Sequence, residues 1–109
     1  MATTYKVLAQ SAPAATTGEW IYSVPQGNSA VISTIVVANR SAAPATYRIA
    51  VAGNAQGPAN AEYIAYDVTV GASDSTTLTL GITLAASWQI YVYASTANLS
   101  FNVFGSEIA

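Results

Sequence analysis

The sequence predicts an all-β protein: a single antiparallel β-sandwich of about eight strands, jelly-roll or immunoglobulin-like. Three observations predict it. Helical spacing is nearly absent, because no stretch of ten residues repeats apolar positions at three and four. Thr, Val, Ile and Tyr dominate the ordered segments, and branched or aromatic side chains suit a pleated surface. Turn-like segments recur at intervals of roughly ten residues, the spacing of such a sandwich. A chain of 109 residues has room for one domain, and 52% hydrophobic residues can fill its core. We divide it into an N-terminal strand and linker arm, residues 1–18, and a sandwich over residues 19–109.

The elements follow in order. A first short strand at Tyr5 to Leu8 leads into an Ala/Thr/Pro linker from Ser11 to Gly18. In Trp20-Ile21-Tyr22-Ser23-Val24, Ile21 opposes two aromatics, so both faces are apolar. Pro25-Gln26-Gly27-Asn28 is a turn. From Val31 to Ala38, Ile32 and Val36 oppose Val31, Ile35 and Val37, and Asn39 to Pro44 then closes a hairpin. Tyr47, Ile49 and Val51 oppose Arg48 and Ala50. The longest loop, Gly53 to Ala61, carries Asn54, Gly57, Pro58 and Asn60. Ile64, Tyr66, Val68 and Val70 oppose Ala65, Asp67 and Thr69, and a turn follows at Gly71-Ala72-Ser73-Asp74. The clearest alternation runs from Ser75 to Leu84, with Leu78, Leu80, Ile82 and Leu84 on one side and Thr77, Thr79, Gly81 and Thr83 on the other. Ile90 and Val92 oppose Tyr91 and Tyr93; after the turn from Ala94 to Asn98, Leu99, Phe101 and Val103 oppose Ser100, Asn102 and Phe104. The Ala-rich stretches Ala12 to Ala15 and Ala42 to Ala45 are loops broken by Pro, and no repeat of solenoid period is present.

Charge narrows the function classes. Only 7% of residues are charged, against about 25% in an ordinary soluble domain. The cations are Lys6, Arg40 and Arg48, and the net charge is −2, which argues against nucleic-acid binding. The N-terminus lacks the apolar run of a signal peptide, and the longest apolar-rich run, Ala30 to Ala38, is about half a membrane span. We therefore expect synthesis in the cytoplasm without export, and no membrane partner. The triplets Asn39-Arg40-Ser41 and Asn98-Leu99-Ser100 match the N-glycosylation pattern, and chance explains them in a chain rich in Ser and Thr. A surface so poor in charge has little to hold copies apart, and exposed strand edges would lack Lys gatekeepers. Three strands are apolar on both faces and need covering on both. We read these features as a subunit built for assembly. The candidate oligomer or partner interface is Trp20, Tyr22, Ile35, Val37, Arg40, Trp88, Tyr91 and Tyr93.

Little in the sequence points to catalysis. The absence of His and Cys removes an imidazole base, a thiolate and the usual transition-metal ligands. The carboxylates are Glu19, Glu62, Asp67, Asp74 and Glu107. On a regular strand Glu62 and Asp67 would point to opposite faces, unlike a glycosidase pair. Asp74 sits in a turn where Asp bonds its own backbone. No Ser lies in a nucleophile elbow, and phosphate loops and a calcium loop are absent. Asp74 and Asn54 are the side chains a calcium ion would use, and no spacing points to one, so we expect no cofactor and no metal. Trp88 with Gln89, beside Tyr91 and Tyr93, offers a sugar-stacking alternative to core or interface packing. Arg40 and Arg48 flank the Asn39 to Pro44 turn, where they would pair with Glu62 or Asp67 or anchor a partner chain.

Met-Ala-Thr-Thr-Tyr-Lys-Val-Leu-Ala-Gln-Ser-Ala-Pro at the start, followed by Trp20 to Pro25, resembles the opening of small virion structural proteins of tailed phages, those of cyanobacterial and marine hosts above all. Ser29 to Arg40, Ala45 to Val51, Leu78 to Leu84 and Phe101 to Ile108 resemble the same group, so the likeness spans nearly the whole chain. The resemblance implies a virion protein that decorates the capsid or serves neck, baseplate or fibre. It implies a symmetric oligomer, a homotrimer in the first instance, touching the major capsid protein or tail components. It carries over no catalytic residue. A carbohydrate-binding module for host attachment is the rival from another class. The composition of the N-terminal arm further leads us to expect that it swaps between neighbouring copies.

Overall fold

A computed structural model describes residues 2–53 and 57–109. Eight antiparallel strands form two four-stranded sheets packed face to face, as an all-β sandwich. The strands are β1 (Thr3–Ser11), β2 (Thr17–Ser23), β3 (Ser29–Asn39), β4 (Ala45–Ala52), β5 (Tyr63–Val70), β6 (Ser75–Leu84), β7 (Gln89–Ala94) and β8 (Leu99–Ile108). One sheet, here A, has the order β1-β8-β3-β6; the other, B, has β2-β7-β4-β5. First therefore pairs with eighth, second with seventh, third with sixth and fourth with fifth. That nested pairing is a jelly roll and excludes the immunoglobulin-like alternative.

Every connection except β4–β5 crosses from one sheet to the other. The Asn39–Pro44 segment is thus a corner between sheets and not a hairpin, because β3 and β4 belong to different layers. Asn39 holds that corner. It is buried, and its amide donates to the carbonyls of Ala43, Val70 and Gly71 while its Oδ1 accepts from Ser41. The first glycosylation-like triplet therefore begins on a residue whose amide is already engaged in the fold.

The core lies between the sheets. Ile32, Ile35, Val37, Leu99, Phe101 and Val103 of sheet A meet Tyr47, Ile49, Ile90 and Val92 of sheet B. Tyr47 and Phe101 make an edge-to-face pair across it at 6.2 Å. Ile35 and Val37 are fully buried here, so their expected place in a subunit interface is overturned. The cause is a register shift in β3 at Ser33, after which Ile35 and Val37 continue the inward set begun by Ala30 and Ile32, while Val36 turns outward.

Two further strands depart from simple alternation. β2 shifts register between Trp20 and Tyr22, so the two aromatics do not share a face. β5 shifts twice, and Asp67 adopts φ 53°, the left-handed region that Asp tolerates better than most residues. As a result Ile64 and Tyr66 are exposed while Ala65 packs against the core, the reverse of the expected faces. β1 is longer than the expected Tyr5 to Leu8 and pairs with β8 from Thr3 to Ser11. The described part of this segment, residues 2–18, divides between β1, a short connection and the start of β2, and so belongs to the sandwich.

Candidate interaction surface

The outer face of sheet B gathers aromatic residues that the sequence scatters over 74 positions, from Trp20 to Tyr93. Strand pairing brings them together. Trp20 on β2 lies opposite Tyr91 on β7, Tyr91 opposite Ala50 on β4, and Ala50 opposite Tyr63 on β5. One step along, Tyr93 lies opposite Arg48. Ala50 is small enough for the rings to close over it, and it has no exposed surface although it points away from the core.

The rings pack edge to face. Trp20 and Tyr91 have centroids 5.0 Å apart at 62°, Tyr63 and Tyr91 6.4 Å at 85°, and Tyr63 and Tyr66 4.9 Å at 90°. Arg48 closes the row, with its Cζ 4.2 Å from the Tyr66 ring centroid and 4.5 Å from that of Tyr93. Its Nε donates to Asp67 Oδ1 at 2.6 Å and its Nη2 to Oδ2 at 3.3 Å. The β5 bulge makes this fork reachable by setting both Tyr66 and Asp67 against Arg48. Asp67 holds the guanidinium above its ordinary pKa, and burial raises the Tyr91 phenol. Gly18 completes the floor: a Cβ there would stand 1.7 Å from Tyr91 Oη, so only glycine lets the phenol lie on β2.

The eight candidate interface residues separate into five groups. Trp20, Tyr91 and Tyr93 meet on this face. Trp88 stands in the β6–β7 connection, 39% exposed, with its six-membered ring against Gly53. Tyr22 points between the sheets, where its hydroxyl donates to Glu107 Oε2 at 2.5 Å. Ile35 and Val37 are core, and Arg40 serves a corner, donating to Ser100 Oγ at 2.8 Å and the Ala97 carbonyl at 2.9 Å. Of the expected arginine pairings, Arg48 with Asp67 forms, whereas Arg40 pairs with neither Glu62 nor Asp67 among the described residues. Tyr63, Tyr66 and Arg48 belong to the face and were absent from the candidate interface; only the pairing of β4 with β5 joins them to Tyr91 and Tyr93.

Each carboxylate has a structural partner. Glu19 accepts from Ser11, Glu62 from the Ala59 amide, Asp67 from Arg48 and Asp74 from the Ser75 amide. Glu107 receives both Lys6, at 2.7 Å, and Tyr22. The Lys6 ammonium first, then the Tyr22 hydroxyl, hold its carboxyl below the usual value, while burial and Glu107 push the Tyr22 phenol up. A shallow concavity lined by Gln10, Ser11, Ala12, Ser100, Phe101 and Asn102 contains no charged side chain. Among the described residues no three of His, Cys, Asp and Glu converge as metal ligands; Asn54 lies outside the described residues.

The fold and this face define a class: an eight-stranded jelly roll carrying an aromatic and arginine surface on one sheet. No protein-family model matches the chain, and no curated protein matches it.

Proposed function

We propose that this chain is a non-enzymatic structural protein of a bacteriophage particle, a capsid decoration protein made in the host cytoplasm and carried in the virion. It assembles as a symmetric homo-oligomer and packs against the major capsid protein. Attachment at the neck, baseplate or fibre is a variant of the same reading. The observation that carries it is the outer face of sheet B, where Trp20, Tyr91, Tyr63 and Tyr66 pack ring to ring and Arg48 stacks on Tyr66 and Tyr93, on a chain with 7% charged residues. Trp, Tyr and Arg are the residues that dominate interface energetics once water is excluded from them. Jelly rolls serve viral capsids, but also lectins and enzymes, so the fold by itself does not choose among them.

Incubation with purified undecorated capsids tests the reading. The protein should co-sediment with the shells, and the double variant Tyr66→Ala/Tyr93→Ala should lose most of that binding while keeping its circular dichroism spectrum. Absence of co-sedimentation with both shells and tails would overturn it. A carbohydrate-binding role is the second reading, favoured by the exposed Trp88 indole held against Gly53. Binding on a glycan array that disappears in Trp88→Ala, with the fold intact, would turn the assignment to it.

A further inference from the structure

We infer that β6 pairs with β6 of a second copy, antiparallel about a two-fold axis at Thr79, so that sheet A runs continuously through two molecules. The contact rests on the self-assembly proposed above and not on the phage placement.

Four strands lie at sheet edges: β1 and β6 in sheet A, β2 and β5 in sheet B. An edge strand presents unpaired N–H and C=O groups, and proteins that stay apart blunt it with charges, bulges or Pro. Three of the edges combine a charge with a bulge. β1 carries Lys6 and a register shift between Val7 and Ala9. β2 carries Glu19 and a shift between Trp20 and Tyr22. β5 carries Asp67 at φ 53° and two shifts. β6 is the longest of the four, at 10 residues, and contains neither a charge nor a Pro. β6 does bulge against β3, with Leu80 and Gly81 standing opposite the single residue Ser33, yet its exposed and covered residues alternate without a break from Ser75 to Leu84. Among the described residues no hydrogen bond from a loop or side chain reaches residues 76–84.

The strand is complementary to itself. An antiparallel pair keeps like faces together only when its two-fold axis falls on a residue; a slip of one would set Thr against Leu. Centring on Thr79 places Thr79 against Thr79 and Thr77 against Gly81 on the outer face. On the inner face Leu78 meets Leu80 and Thr76 meets Ile82. Threonine pairs and apolar pairs of this kind stabilise antiparallel neighbours. Leu78, Leu80 and Ile82 are only partly buried in the single chain, and the added strand covers them. Charge is compatible with a second copy: along the chain the ionised residue nearest to Thr79 is Asp74, and the two copies of Asp74 end about 33 Å apart, well beyond the screening length at physiological salt. The contact is isologous, which closes on itself and does not propagate into a fibre.

Light scattering on the full chain tests it. The protein should have an even number of subunits, and Thr79→Lys, which sets two ammonium groups face to face across the axis, should halve its mass. Thr79→Val and Thr3→Lys on the β1 edge should leave it unchanged. A monomeric or three-subunit wild-type protein, or a mass indifferent to Thr79→Lys, would overturn the inference. Should Thr79→Lys not fold, hydrogen exchange on the wild-type protein decides: protection of β6 amides must rise with protein concentration, and constant protection would refute the pairing. Loss of capsid binding in Tyr66→Ala/Tyr93→Ala at unchanged mass separates failure at the aromatic face from failure at this edge.

Discussion

The two long edges of the sandwich are built differently. At the β1/β2 edge, polar side chains join the sheets: Lys6 of β1 and Glu107 of β8 meet Tyr22 of β2, and Ser11 of β1 donates to Glu19 of β2. At the β5/β6 edge, no side-chain hydrogen bond or ion pair joins the two strands among the described residues. There β5 exposes Ile64, Tyr66 and Val68, and β6 offers an uncharged backbone edge. A sandwich must stop water from entering between its layers at both edges. Three of the chain's eight charged residues, Lys6, Glu19 and Glu107, do so on one side, and the other side has no such clasp among the described residues.

The largest expected effect comes from opening the clasped edge. Glu107→Ala removes a charge-assisted bond to Tyr22 and the pair with Lys6. Glu107 retains only 9% of its exposure, so the Tyr22 bond should dominate, while the Lys6 pair, half in water, adds little. A loss of about 2 kcal/mol, read from the urea midpoint, is expected. No measurable loss would mean that the edge is sealed by backbone pairing alone.

The same clasp gives a smaller effect with pH. Glu107 is held below its ordinary value of 4.5 in the folded chain, so its stabilisation is complete above that value and disappears as pH falls through the lowered one. Tyr22 is shifted the other way, so its contribution is present below its ordinary value of 10.0 and declines as pH rises beyond it. Urea midpoints measured from neutral pH downward should decrease below about pH 4.5 and flatten in Glu107→Gln. An acid limb unchanged by that substitution would assign the pH dependence to other carboxylates.

The smallest effect belongs to the open edge. Asp67→Ala removes a fork in which Asp67 is about half exposed, and Arg48 keeps the Tyr66 and Tyr93 rings. The melting temperature should move far less than in Glu107→Ala, in keeping with a surface pair. A shift as large as that of Glu107→Ala would show that the β5 bulge depends on Asp67 and would remove the contrast between the edges.

Much of the architecture is legible in the residues. Regular alternation placed β4, β6, β7 and the first half of β8 with their faces correct. It failed where a bulge inverts parity. Ile35 and Val37 entered the core through the break at Ser33, Tyr22 left the aromatic side through the break after Trp20, and Tyr66 came outward through the breaks in β5. Bulges answer to sheet twist and to neighbouring strands, which a strand's own residues do not encode. The aromatic face was half legible for a related reason. Tyr91 and Tyr93 alternate within one strand, whereas Tyr63 joins them only because β7, β4 and β5 lie side by side.

By itself the sequence determined the all-strand class, the run of turns, the poverty of charge and most of the core, because these depend on side-chain volume, branching and local spacing. The tertiary structure decided that first pairs with eighth and second with seventh, which aromatic rings share a face, and which edge is clasped. Those outcomes depend on groups up to about a hundred positions apart, and only closure of both sheets around one core brings such groups into contact.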